Sequence, residues 1–313
     1  MRVGTSIATA VLAVVSGLAC MGGAPSATPS PAPEPAPEPV AQRQLLDWHD
    51  ELDGRRRHAK VSLPPGYDAA TPVPVVLALH GGGGDIDTML TKNGWRDTLD
   101  EAGWIGIFPQ TGRKGRSDGP PDDATDEPGD VDYFLALLDR AEEQLAVDRA
   151  RVYVVGFSAG GRGAYLLANR AAGRLSAMAA HSANVRKVDD DAAWTDPKAN
   201  DVPPISVLHI HGKRDPKTPW EGGRIQGRSS GDDEAVAVLD GAARWADQIG
   251  ARRDADVKTP DTGPKRLVAR RWVAPTGHLV EVVLDPQLKH EWADEFANEM
   301  IMAFFRAAPP RDR

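Results

Sequence analysis

Thiols are almost missing from this chain. Cys20 is the one cysteine in 313 residues, which excludes a disulfide framework and a cysteine nucleophile from everything that follows it. Long apolar runs are missing too: Ile7 to Ala19 spans thirteen residues, short of the about 20 needed for a permanent membrane helix. Positive charge is in deficit, with 37 Lys and Arg against 45 Asp and Glu for a net −8. No basic stripe is long enough to track phosphates, so nucleic acid is not an expected partner. Arg55-Arg56-Arg57 is a short run expected at a solvated strand or loop end.

What the N-terminal segment does contain is a targeting pattern. Arg2 supplies a minimal basic region and Ile7 to Ala19 the apolar core of a cleavable signal, giving a lipoprotein-type signal peptide over residues 1–20. Gly17-Leu18-Ala19-Cys20 resembles a bacterial lipobox, with Gly17 where a leucine is usual. Cys20 is therefore the expected lipidation site, with simple secretion as the alternative. Seven of the 26 prolines fall between Pro25 and Pro39, so residues 21–43 are expected to form a Pro/Ala-rich tether without a core. Either route places the protein outside the cytoplasm, and a membrane is touched only through the lipid on Cys20 where that is attached.

Residues 44–308 fit one domain, followed by a short tail over 309–313. Short apolar runs at Arg57–Leu63, Val73–Leu79, Ile105–Phe108, Val152–Val155, Leu175–Ala180, Ile205–Ile210 and Leu279–Leu284 are strand-like. Helical spacing recurs at Met89–Ala102, Val131–Ala146, Arg162–Ala172, Glu234–Ile249 and Glu291–Phe305. The alternation predicts an α/β fold, a mostly parallel central sheet with helices on both faces. Chemistry in such sheets sits at the carboxyl ends of the strands.

The unusual residues fall at those ends. Gly156-Phe157-Ser158-Ala159-Gly160 lies between a strand pattern and a helix pattern, the setting of a nucleophile elbow that holds a serine hydroxyl out on a tight turn. His80-Gly81-Gly82-Gly83-Gly84 follows the Val73–Leu79 run; its amides, with that of Ala159, are candidate oxyanion donors, Gly82 foremost. No Gly-Lys-Ser/Thr follows, so it is not a phosphate loop. Asp215 stands just after the Ile205–Ile210 run, placed to orient an imidazole. Two histidines compete for the base. His290 follows the Leu279–Leu284 strand on the catalytic edge, where it is expected to open the last helix, whereas His278 precedes that strand. His181 comes before Asp215 and is expected to line the cleft or pack, and His49 and His58 stand too early. His209 and His211 share a strand face but lack further ligand-like neighbours, so no metal is expected. The acidic, Pro/Gly-rich stretch 117–132 is expected to be a solvated connection with a helix cap.

Jointly, His80-Gly81-Gly82, Val147-Asp148-Arg149, the run Arg151 to Gly161, Asp215-Pro216-Lys217-Thr218-Pro219-Trp220-Glu221-Gly222-Gly223 and His290-Glu291-Trp292 resemble secreted α/β-hydrolase esterases. These include polyhydroxybutyrate depolymerase-like proteins, feruloyl esterases and acetylxylan esterases. The resemblance runs from about Arg57 to Phe305. It implies Ser158 as nucleophile, Asp215 as acid and His290 as base, with His80, Trp220 and Trp292 as candidate cleft residues and no metal or organic cofactor. Leu288-Lys289 replace the Gly-Gly often found before the histidine, Ala293 replaces a proline, and a tryptophan usual after the fourth strand has no counterpart between Lys114 and Asp130. Those departures bear on which ester is recognised, a small molecule or a polymer. A serine peptidase on the same fold and a non-catalytic envelope lipoprotein are the alternatives.

Overall fold

A computed structural model describes residues 43–52, 54–111, 128–185, 203–224, 234–255, 260 and 263–311. In chain order it runs β1 (Gln44–Leu52), β2 (Arg55–Leu63), β3 (Val73–Leu79), α1 (Trp95–Ala102), β4 (Ile105–Gln110), α2 (Pro128–Gln144), β5 (Val147–Phe157), α3 (Ala159–Arg170), β6 (Ala177–His181) and β7 (Ser206–Gly212). There follow β8 (Gly223–Arg224), β9 (Glu234–Ala235), α4 (Val238–Gln248), β10 (Arg252–Asp254), β11 (Val268–Val273), β12 (Leu279–Asp285) and α5 (Ala297–Ala307).

Ten strands make one sheet in the order β1-β2-β4-β3-β5-β6-β7-β12-β11-β10. The central run from β4 to β12 is parallel, and antiparallel hairpins extend it at both edges. Alternation along the central strands sorts side chains to two faces. Val75, Leu77 and Leu79 of β3 join Leu167 of α3 and Trp245 of α4 in one apolar cluster. Val76 and Ala78 join Trp95 and Leu99 of α1 and Ile301 and Phe305 of α5 in the other. A strand buried on both sides reads as an unbroken apolar run, which is why these strands are legible from residue type. No helix among the described residues is long and apolar enough to cross a membrane.

Several elements differ from the expectation, each for a local reason. The helix expected over Met89–Ala102 is broken: Thr88–Lys92 forms one π-helical turn, and Gly94 at φ 69° restarts the chain as α1. The pattern at Glu234–Ile249 begins as β9, so α4 starts only at Val238. α5 starts at Ala297, so His290 lies in irregular chain between β12 and α5 rather than at a helix start. Arg57 is not solvated. Its guanidinium is buried, 2.6 Å from Asp130 and stacked over the Tyr133 ring, which draws one end of the acidic 117–132 stretch into the core beside β2. The rest of that stretch up to residue 127 lies outside the described residues, as do Cys20, the expected signal segment and nearly all of the expected tether. In the expected tail, Arg311 donates from its amide to the Ala150 carbonyl at 3.0 Å and from Nη1 to Gly173 at 2.8 Å, closing the domain.

Candidate active site

The turn between β5 and α3 is tight because two of its residues have no side chain. A Cβ on Gly156 would lie 2.1 Å from the Gly160 carbonyl oxygen, and one on Gly160 would lie 2.3 Å from that of Leu79. Strand, turn and helix can approach this closely only with glycine there. Between them Ser158 is forced to φ 53°, ψ −117°, a conformation that costs a non-glycine residue on the order of 1–3 kcal/mol and persists only where neighbours hold it. One such restraint is its amide, which donates to the His181 carbonyl at 2.8 Å.

The parallel pairing of β7 with β12 sets the second half of the site. Beyond the ladder, the Lys213 amide donates to Asp285 and the Arg214 amide to Leu288, tying the loop that carries Asp215 to the one that carries His290. As a result His290 Nδ1 lies 2.7 Å from Asp215 Oδ2, and His290 Nε2 lies 2.9 Å from Ser158 Oγ. The Asp215 carboxylate also accepts the amides of Lys217 and Thr218 and the Thr218 hydroxyl, at 2.8, 2.9 and 2.7 Å. Burial alone would raise its pKa, but hydrogen bonds from His290 and Thr218 outweigh that and hold it down at about 2. An ionised Asp215 takes the Nδ1–H of His290, which leaves the Nε2 lone pair facing the serine hydroxyl; this tautomer follows from the bonding pattern.

Behind Asp215 runs a chain of buried polar groups that the motif does not announce. The Tyr165 hydroxyl donates to His209 Nδ1 at 2.7 Å, His209 Nε2 donates to His211 Nδ1 at 2.9 Å, and His211 Nε2 donates to the Thr218 carbonyl at 2.7 Å. Desolvation pushes the pKa of both histidines below the ordinary value, with His209 well below it. Each neutral ring then has one donor and one acceptor, which is what a head-to-tail chain requires. All four ring nitrogens are thereby taken up, by Tyr165, by each other and by the Thr218 carbonyl. The spacing His-x-His puts both rings on one strand face and was the available signal; the partner Tyr165, 44 residues away on α3, was not visible.

The glycine-rich loop packs against the elbow: a Cβ on Gly81 would sit 2.9 Å from the Phe157 ring and 3.3 Å from Ser158 Cβ. Gly82 beside it is exposed, and Ala159 opens α3 with its amide at the helix N-terminus. His80 does not line a cleft. It is 2% exposed, its Nδ1 donates to the Gly81 carbonyl at 2.8 Å, and its Nε2 accepts from the Thr111 amide at 3.1 Å. Trp220 and Trp292 are likewise buried, Trp220 edge-on to His211 and Trp292 stacked on His181 at 4.7 Å. They back the site from behind. His181 is fully buried, and burial lowers its pKa to about 3; its Nε2 accepts the Ala293 amide at 3.3 Å. His278 lies at the opposite end of β12, with Nδ1 2.9 Å from the Thr276 hydroxyl.

A protein-family model described as "Putative esterase" matches residues 51–249, well over half of the chain. The chain belongs to this esterase family. This family member is 32% identical over 172 residues to "Putative esterase NocK" of Nocardia uniformis, covering 54% of this chain and 48% of that protein. It is 29% identical over 185 residues to feruloyl esterase C of Emericella nidulans, covering 58% and 63%. The esterase-family chain thus spans about half to three fifths of the length of these curated relatives. Its fold matches the solved acetyl xylan esterase from Aspergillus awamori with a TM-score of 0.58, at 13% identity over 85% of this chain and 100% of that one.

Proposed function

We propose that the protein hydrolyses carboxylic esters through an acyl-enzyme on Ser158. The single observation that carries this reading is the unbroken Ser158–His290–Asp215 hydrogen-bond line on a strained strand-to-helix turn. His290 Nε2 takes the hydroxyl proton as Oγ attacks the ester carbonyl, and Asp215 stabilises the imidazolium that forms. The tetrahedral oxyanion is received by the amides of Gly82 and Ala159, where each donor lowers the barrier by about 3 to 4 kcal/mol. His290 then returns the proton to the leaving alcohol, and water repeats the sequence to release the acid. The residues supply base, orienting carboxylate and oxyanion donors, so the mechanism calls on no metal or organic cofactor. Family membership and the feruloyl and acetyl xylan esterase likenesses support an ester of a small molecule or of a polymer as substrate.

From the N-terminal pattern we also infer that the enzyme works outside the cytoplasm, with residues 1–19 removed, a lipid on Cys20 as the mature N-terminus and residues 21–43 as its tether. Labelling with a fluorophosphonate, followed by peptide mapping and a short-chain aryl ester panel, tests the chemistry. Modification at Ser158 with turnover is the expected result, and an unlabelled folded sample would refute it. Metabolic incorporation of an alkynyl fatty acid that disappears in Cys20→Ser tests the anchor.

A further inference from the structure

His49 and His58 stand too early in the chain to serve as the base, and ester chemistry leaves them unused. The β1–β2 hairpin nonetheless brings them together. The antiparallel register sets His49 directly opposite His58, and Asp47, two residues before His49, shares its face of the sheet. The two rings stack at 4.5 Å between centroids and 3° between planes, and His58 Nε2 lies 2.9 Å from Asp47 Oδ1. One ligand atom from each of the three residues falls within 4.8 Å of the others. Asp47 and His49 are exposed and His58 is half-buried, so a hydrated ion can reach all three.

The other histidines are built differently. His80, His181, His209 and His211 are buried with their rings bonded into the fold, His290 faces Ser158 and Asp215, and His278 sits near Thr276. Among the described residues, Asp47, His49 and His58 are the group whose donor atoms converge in this way.

We propose that these three residues form a surface site for a divalent transition-metal ion, Zn²⁺ being the reference case. Two imidazole nitrogens and one carboxylate oxygen suit zinc, nickel or copper, and disfavour magnesium and calcium, which take oxygen donors. Ligand atoms around a tetrahedral zinc stand about 3.3 Å apart, given bonds of about 2.0–2.1 Å. Because an imidazole lone pair lies in its ring plane, closing on one ion takes χ rotations that break the parallel stack of His49 and His58, on a hairpin whose backbone is already paired. Metal entry displaces the proton between His58 Nε2 and Asp47, leaving His58 as the neutral Nδ1–H tautomer with the Nε2 lone pair on the ion, and water fills the remaining position. Lys60 is the opposing term: it pairs across from Asp47 on β2, with its Nζ 3.6 Å from Asp87. Because β1 is the edge strand of the sheet, an ion held by both strands would clip that edge down.

Calorimetric titration of the full-length protein with ZnCl₂, alongside MgCl₂, decides the matter. One Zn²⁺ per chain is expected, with Mg²⁺ silent. His49→Ala and His58→Ala should each weaken Zn²⁺ by about tenfold or more, with His278→Ala unchanged and ester turnover the same in all three. Asp47→Asn should also weaken binding, so misfolding of one histidine variant would still leave a reading. The Cu²⁺ form should show superhyperfine coupling to two nitrogens, reduced to one in His49→Ala. Absence of saturable Zn²⁺ binding, or binding unaltered in both histidine variants, would overturn the site.

Discussion

The two turns that meet at His290 are held by opposite means. The Ser158 turn is shaped by omission: Gly156 and Gly160 let β5 and α3 come so close that the serine is left no relaxed conformation. The Asp215 turn is shaped by addition. It has three hydrogen bonds from Lys217 and Thr218 and, through the Thr218 carbonyl, the Tyr165–His209–His211 chain behind it. A steric device tolerates no added atom, whereas a hydrogen-bonded one degrades by steps as its members are removed.

The contrast can be broken at its chemical centre first. Ser158→Ala is expected to cut ester turnover by about 10⁴-fold or more while leaving the melting temperature nearly unchanged. His290→Ala should fall by a comparable factor in the same assay. The added polar groups carry a pH signature. His181, His209 and His211 all have pKa values lowered by burial, so below about pH 6.5 the unfolded chain binds more protons than the fold. Stability should therefore fall on acidification from that point, by up to about 1.4 kcal/mol per pH unit for each histidine. Asp215, held at about 2, loses its own contribution only at lower pH, between its unfolded value near 3.8 and 2. Urea unfolding at pH 7, 6 and 5 measures the slope; a flat profile would mean that the buried rings are charged.

Gly160→Ala tests the steric turn and should destabilise by about 3 kcal/mol, with activity lost alongside, since the new methyl meets backbone rather than a movable side chain. Tyr165→Phe tests the other device. It removes the donor to His209 and should cost about 1–3 kcal/mol in denaturant unfolding, while turnover drops less than about tenfold because the bonds on Asp215 itself remain. Smallest of all, His278→Ala should leave both stability and turnover within error, being at the far end of β12.

This difference also explains what could be seen in the sequence. Strands buried on both faces, such as β3 and β5, announce themselves by composition, and a turn held by glycines announces itself by its glycines. β1 does not: only Trp48 on it is fully buried, and its polar residues mask an edge strand that acquires order by pairing. Side chains whose role depends on a distant partner were equally hidden. Arg57 looked like surface until Asp130 was brought beside it from 73 residues away, and His80, Trp220 and Trp292 looked like cleft residues because proximity to the site does not reveal which way a ring points.

His181 gives the site a common datum. Its carbonyl fixes the Ser158 amide, while its ring accepts the Ala293 amide and stacks on Trp292, in the segment just after His290. Ser158 and His290, the proposed nucleophile and base, thus share one reference residue at the end of β6, in addition to the loop contacts that tie His290 to Asp215. A small displacement of that strand would therefore shift both side chains in the same sense, which offsets part of its effect on the distance between them. A site built this way can let its surrounding loops vary while keeping Ser158 and His290 in register.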